Sequence, residues 1–165
     1  MTERENLLKR IRFLLGFFIV ALVASGVTAF PLLRELDLLA SLPGVGNASS
    51  PDGHAGLALW ILRVREGLRV TYSHYPFIAY GTDWLAFAHI VIALFFIAPF
   101  VDPVRNVAAI RAGLAACVLV LPLALICGAV RGIPFYWRLI DCSFGVLGFV
   151  PLWHCLKLVR RLEKP

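Results

Sequence analysis

Charge is scarce in this sequence. Asp, Glu, Lys and Arg make up 16% of it while 60% is hydrophobic, against about 25% charged residues in soluble domains. A water-soluble fold of that composition has too little polar surface to cover itself, so lipid is the expected solvent. Cysteine is also sparse. Cys117, Cys127, Cys142 and Cys155 lie within hydrophobic runs, with no CxxC pair and no zinc-ligand spacing, which argues against a disulfide-stapled or zinc-ribbon fold. A Cys127–Cys142 disulfide is the pairing that depth in the membrane allows on the outer side, and a role as small apolar residues is the simpler expectation. No phosphate loop, nucleophile elbow, metal-ligand set or internal repeat is present, so the common enzyme signatures and the repeat architecture of transporters find no support. The net charge of +6 does not form a nucleic-acid footprint, which clusters basic residues on a polar face with aromatics between them. Here the basic residues flank hydrophobic runs.

What the 165 residues do contain is a set of four such runs in one domain. Residues 13–33 carry no charge, and at about 1.5 Å per residue they reach roughly 30 Å, the thickness of a bilayer core. Residues 84–101, 112–130 and 139–156 repeat the pattern. Backbone polar groups in lipid must be satisfied within the segment, which for a single run means a helix. The expected fold is therefore all-α: a polytopic four-transmembrane-helix bundle spanning 1–165 as a single membrane domain. Basic residues, an apolar run and Val27-Thr28-Ala29 also fit a cleavable signal peptide, but the run continues past that point, and an uncleaved helix is expected.

Lys and Arg set the orientation. With the N-terminus inside, ten fall on the inner side (Arg4, Lys9, Arg10, Arg12, Arg105, Arg111, Lys157, Arg160, Arg161, Lys164) and six outside (Arg34, Arg63, Arg65, Arg69, Arg131, Arg138). Both termini are expected to be cytoplasmic. The one long loop, 34–82, is then extracytoplasmic. Residues 43–53 read as irregular, and 55–70 as an amphipathic interfacial helix with Leu57, Trp60, Ile61, Val64 and Leu68 on one face and Arg63, Arg65, Glu66 and Arg69 on the other. Tyr72, Tyr75, Tyr80 and Trp84 suit the headgroup level, and Thr82 or Asp83 is the expected N-cap of the second span.

Ionisable residues inside a span are costly and mark candidate sites. His89 lies about 10 Å past Thr82 by helical rise; Asp141 opens the fourth span; Asp83 sits at the edge of the second; Arg131 and Arg138 flank the turn between the third and fourth. All five, with Trp84, are expected at one level in the outer leaflet and form the candidate ligand-binding set. Asp141, Gly145, Gly148 and Leu152 share a stripe expected to face a neighbouring helix, with Arg131 or Arg138 paired to Asp141. The bland alternatives are a helix N-terminus favoured by Asp83, a local Arg138–Asp141 pair, and a His89 hydrogen bond to a neighbouring helix. Pro122 and Pro151 are expected to free the carbonyls of Val118 and Leu147. Bis-histidine haem needs a second histidine facing His89. His54 and His74 lie in the outer loop and His154 in the opposite leaflet, so haem is not expected.

The stretches YPFIAYGTDWLAFAHI (75–90) and RGIPFYWRLIDCSFG (131–145) resemble an uncharacterised family of small bacterial four-helix integral membrane proteins. The resemblance covers residues 75–152 and implies a bacterial plasma membrane setting, with no chemistry attached. Three functions fit. The first is a bundle holding the head of an amphipathic ligand (lipid, quinone or isoprenoid) at the polar outer-leaflet cluster. The second is an accessory or assembly subunit with a membrane-protein partner or a second copy of itself. The third is a membrane-embedded enzyme using His89 with Asp83 or Asp141 as acid and base.

Overall fold

The computed structural model describes residues 2–42 and 55–163; the irregular stretch expected over 43–53, His54 and Lys164 lie outside them. Among the described residues the chain is all-helical, with helices α1 (Glu3–Ala29), α2 (Leu32–Ser41), α3 (Gly56–His74), α4 (Ala79–Phe95), α5 (Ile97–Val101), α6 (Val107–Pro122), α7 (Gly128–Val130) and α8 (Phe135–Leu162). Four helical stretches are long and apolar enough to cross a membrane: Glu3–Ala29, Pro76–Val101, Val107–Val130 and Phe135–Leu162. Their large apolar side chains point outward: Phe13 is 75% exposed, Val130 80% and Leu147 67%. Apolar surface on that scale calls for an apolar surrounding, and the chain is read as a multi-pass membrane protein.

The described chain divides into two compact units, Met1–Val23 with Val91–Pro165, and Ala24–Ile90. The first is built around α6 and α8. Its core holds Ile11 and Leu15 of α1, Phe96 between α4 and α5, Ile110 and Leu114 of α6, and Leu152, Cys155, Leu156 and Val159 of α8. The α1 start is fixed by a capping box: Thr2 N–H donates to Glu5 Oε2 at 2.8 Å and Glu5 N–H to Thr2 Oγ1 at 3.3 Å, satisfying donors that the first turn otherwise leaves open.

Small residues set how closely α6 and α8 approach. A Cβ on Gly145 would sit 2.6 Å from the Cys117 carbonyl oxygen, and one on Gly148 2.9 Å from Cys117 Sγ. With Leu152 fully buried, the expected contact stripe of α8 does face a neighbouring helix. Between α7 and α8 the chain turns through a Schellman motif. Ile133 N–H donates to Gly128 O at 2.9 Å and Gly132 N–H to Ala129 O at 3.1 Å. Gly132 takes the left-handed position at φ +70°, where a side chain would clash. Pro134 then opens α8.

The two span prolines behave differently. Pro151 sits inside an unbroken α8. Pro122 ends α6 and is followed by one π-helical turn, Leu123–Cys127, a common way to absorb a lost helical hydrogen bond. A third, Pro99, lies in α5 just past the break at Phe96.

The second unit departs from the expected layout in two places. The first span ends at Ala29, not Leu33, because Phe30 and Pro31 form a turn; proline disfavours helix at the residue before it and has no N–H to donate. Residues 32–41, expected as loop, form α2, which packs against α3. Their buried residues are Leu36, Ala40, Ile61 and Leu62, and Arg65 Nε pairs with Asp37 Oδ1 at 2.6 Å. A helix covers the stretch expected over 55–70 and runs on to His74. The second span begins earlier than expected, at a 3-10 turn, Pro76–Ile78. Thr82 and Asp83 are therefore helix residues and not N-caps: Thr82 Oγ1 donates back to Ala79 O at 2.6 Å. Tyr72 and Thr82 hydroxyls meet at 3.4 Å, joining the end of α3 to the start of α4.

Candidate functional site

The six residues singled out in the sequence fall in both units. Asp83, Trp84 and His89 are on α4 in the Ala24–Ile90 unit; Arg131, Arg138 and Asp141 belong to the other. Each group is described within its own unit.

Arg138 is committed to the fold. Its Nη1 donates to the Leu125 carbonyl at 3.2 Å, inside the π-helical turn that follows Pro122. The guanidinium thus ties the start of α8 to the π-helical turn. The side chain reaches it by crossing Gly128, where an added Cβ would lie 2.6 Å from Arg138 Cδ and 2.7 Å from Cγ. The charge also lies over the Phe135 ring at 5.3 Å, and the buried Nε has no acceptor among the described residues. The expected Arg138–Asp141 pair is absent: among the described residues the ion pair is Arg65–Asp37. Asp141 is half-buried, one turn before Gly145. Arg131 is exposed and serves as the C-cap residue of α7, its backbone N–H donating to Cys127 O at 3.0 Å. All four cysteine thiols are free; Cys155 lies 3.8 Å from the Ile11 carbonyl, to which its Sγ–H donates.

In the other unit α4 presents different chemistry on two sides. His89 faces the end of α1: a Cβ on Gly26 would lie 3.1 Å from His89 Cβ and 2.8 Å from the Ala86 carbonyl oxygen. Its imidazole bonds within its own helix, not to a neighbour, with Nδ1–H donating to Leu85 O at 2.8 Å. His74 and His154 make the same bond four residues back, to Val70 O and Val150 O, so each described histidine uses Nδ1 to hold its own backbone. Among the described residues no three His, Cys, Asp or Glu side chains gather in metal-binding reach.

Asp83 and Trp84 do come together. With Phe30, Tyr80 and Phe87 they line an open groove of about 310 Å³, at the lower end of the range for small-molecule sites. Trp84 is its centre: the Tyr80 ring lies edge-on at 5.9 Å and the Phe87 ring edge-on at 6.0 Å, the arrangement aromatic quadrupoles favour. Asp83 is the sole ionisable carboxyl in this wall, half-buried, with no ion pair or hydrogen bond from its side chain among the described residues. It lies seven residues past Pro76, about 10 Å along the candidate span by helical rise. His89 is not part of the lining. Phe30, Tyr80 and Phe87 are the members that sequence reasoning missed; Tyr80 was expected only as a headgroup-level aromatic, Phe87 lies one helical turn past Asp83, and Phe30 sits beside Pro31, the signal available for the end of α1.

Against known proteins, the chain matches no family model, no curated protein and no solved structure.

Proposed function

We propose that this protein is a multi-pass component of a bacterial inner membrane, with both termini cytoplasmic, and that it binds the head of an amphipathic membrane molecule in the Asp83–Trp84 groove. The membrane setting draws on the four apolar helices, on the two motifs that resemble small bacterial membrane proteins, and on the excess of Lys and Arg that an N-inside arrangement puts on the inner side. The amphipathic helix α3 then lies extracytoplasmically.

One observation carries the binding reading: Asp83, half-buried and with no partner for its side chain among the described residues, is one of the residues lining a groove with Phe30, Tyr80, Trp84 and Phe87, on a helix apolar enough to cross the membrane. An unpartnered ionisable group at such a position is costly, and lipid-exposed stretches avoid it unless it serves a ligand or a pathway. An aromatic wall with one polar group that fixes orientation is the usual composition of a small-molecule site. Arg138 lies in the other unit, where its guanidinium donates to the Leu125 carbonyl.

Protein released gently from its native membrane is expected to carry a bound amphipathic molecule, seen as a defined mass adduct by native mass spectrometry and lost from Asp83→Asn. Wild-type protein that flies without any adduct, under conditions where its fold survives, overturns the proposal.

A further inference from the structure

We infer that the face of α8 carrying Trp153, Lys157 and Arg160 binds the phosphate of an anionic phospholipid. Position comes first. α8 has 28 residues, about 42 Å by helical rise, against roughly 30 Å for a bilayer core. A helix of that length reaches past the hydrocarbon. Lys157 is the first Asp, Glu, Lys or Arg after Asp141, so it marks where this span meets the headgroups. Aromatic and basic residues at that level serve many membrane helices as general anchors; the geometry on α8 is more specific.

Phe149, Trp153, Lys157 and Arg160 follow one another at helical spacing, which puts them on one side of α8. Leu152, Cys155 and Val159 are fully buried on another side. The Trp153–Lys157–Arg160 face is therefore turned away from the core, and both cations are exposed. The Phe149 and Trp153 rings stack at 5.7 Å and 17°, and Lys157 Nζ lies 5.2 Å from the centroid of the Trp153 ring. The indole thus holds the ammonium on this face by cation–π attraction. Neither Lys157 nor Arg160 is in an ion pair among the described residues, although Glu163 lies one turn past Arg160. Both charges are available to an outside anion.

Charge complementarity selects the head. Lys and Arg only donate hydrogen bonds, and phosphate oxygens accept them. Residues 157 and 160 are separated by about 4.5 Å of helical rise, close enough for two long side chains to share one phosphate. Each juxtamembrane cation adds to the attraction for anionic lipid. A choline head brings a cation of its own, which the pair repels. The tail follows the same helix. Val150 and Val146, one and two turns before Trp153, are about half exposed, and Phe149 is packed against the core, so an acyl chain has an apolar track to follow. A tailless phosphate gains nothing from that track, which makes lipid the source. The site belongs to the other unit from the Asp83 groove, and the inference does not rest on the reading of that groove.

The test uses the full chain in maltoside micelles. Dioleoylphosphatidylglycerol, dioleoylphosphatidylcholine and glycerol phosphate are titrated separately, and affinities are read from the bound fractions in native mass spectra. The anionic lipid is expected to bind at least tenfold tighter than the choline lipid and at least tenfold tighter than glycerol phosphate. Lys157→Gln with Arg160→Gln reduces the preference over the choline lipid to less than threefold, and Lys157→Arg with Arg160→Lys retains it. A charge-matched control, Arg4→Gln with Arg105→Gln, also retains it, as does Asp83→Asn. Equal binding of the two lipids by wild-type protein overturns the inference, and this comparison decides the matter even if a variant fails to fold. Glycerol phosphate binding as tightly as the anionic lipid overturns the lipid source. A control variant that loses the preference as fully as the Lys157 and Arg160 variant overturns the assignment to α8, because diffuse attraction to any basic residue then suffices. The site lies on a single helix, which persists when the bundle comes apart in a micelle. This lipid therefore binds folded and unfolded chains alike and moves the thermal midpoint little.

Discussion

Arg138 and Asp83 are both charged residues within candidate spans, and the protein treats them in opposite ways. The turn between α7 and α8 is closed by its own groups: a Schellman motif satisfies the last carbonyls, Gly128 clears a path, and the Arg138 guanidinium binds the Leu125 carbonyl of the π-helical turn. The start of α4 is left open. Asp83 stands in an aromatic groove with no partner for its side chain among the described residues. A charge in a membrane helix is thus a weak sign of a site until its hydrogen bonds are accounted for. The first charge completes a backbone; the second has chemistry to spare.

The sharpest way to break this contrast is to disturb the tight side. Gly145→Leu puts a side chain where even a Cβ would sit 2.6 Å from the Cys117 carbonyl oxygen. Backbone cannot move aside as a flexible side chain does, so a loss of about 3 kcal/mol is expected, read as a fall in thermal midpoint and in folded yield. Next in size is Arg138→Met, which keeps the apolar stem but removes the donor to Leu125 O. A carbonyl that loses its donor in an apolar surrounding costs about 1–3 kcal/mol, and a variant as stable as wild type would show that another donor replaces the guanidinium there. Gly132→Val forces a β-branched residue into φ +70° and should cost about 1–2 kcal/mol, measured in the same assay. Smallest is Arg65→Ala. Its partner Asp37 is 50% exposed, and such pairs contribute about 1 kcal/mol or less. The effect should shrink further with added salt.

Much of the fold was legible because its signals are long. Uncharged runs of bilayer length marked four spans, and the Gly145–Gly148–Leu152 stripe marked the α8 contact face. Short-range features were harder. The hydrophobic run through Leu33 concealed the turn at Phe30–Pro31 and, with it, α2, whose own leucines continue the apolar character while Arg34, Glu35 and Asp37 change its periodicity. Thr82 and Asp83 have the residue types of an N-cap, but Pro76 starts the helical path earlier and carries them inside it. The site was legible only in part. Depth along a helix can be counted from sequence, so Asp83 and Trp84, which line the candidate groove, were among the residues singled out. Which hydrogen bonds a residue makes cannot be counted that way. Arg138 bonds to Leu125 in the π-helical turn that follows Pro122, and His89 turns to Leu85 on its own helix; neither follows from position alone.

The most direct test sets the two charges side by side. Thermal unfolding of Asp83→Asn and Arg138→Met is measured in one detergent, with and without a lipid extract of the native membrane. Asp83→Asn is expected to melt within about 0.5 kcal/mol of wild type without lipid and to gain little when lipid is added. Arg138→Met is expected to start lower and to gain as much from lipid as wild type does. The reverse pattern, with lipid stabilisation kept by Asp83→Asn and lost from Arg138→Met, would contradict the assignment of the open groove as the binding site.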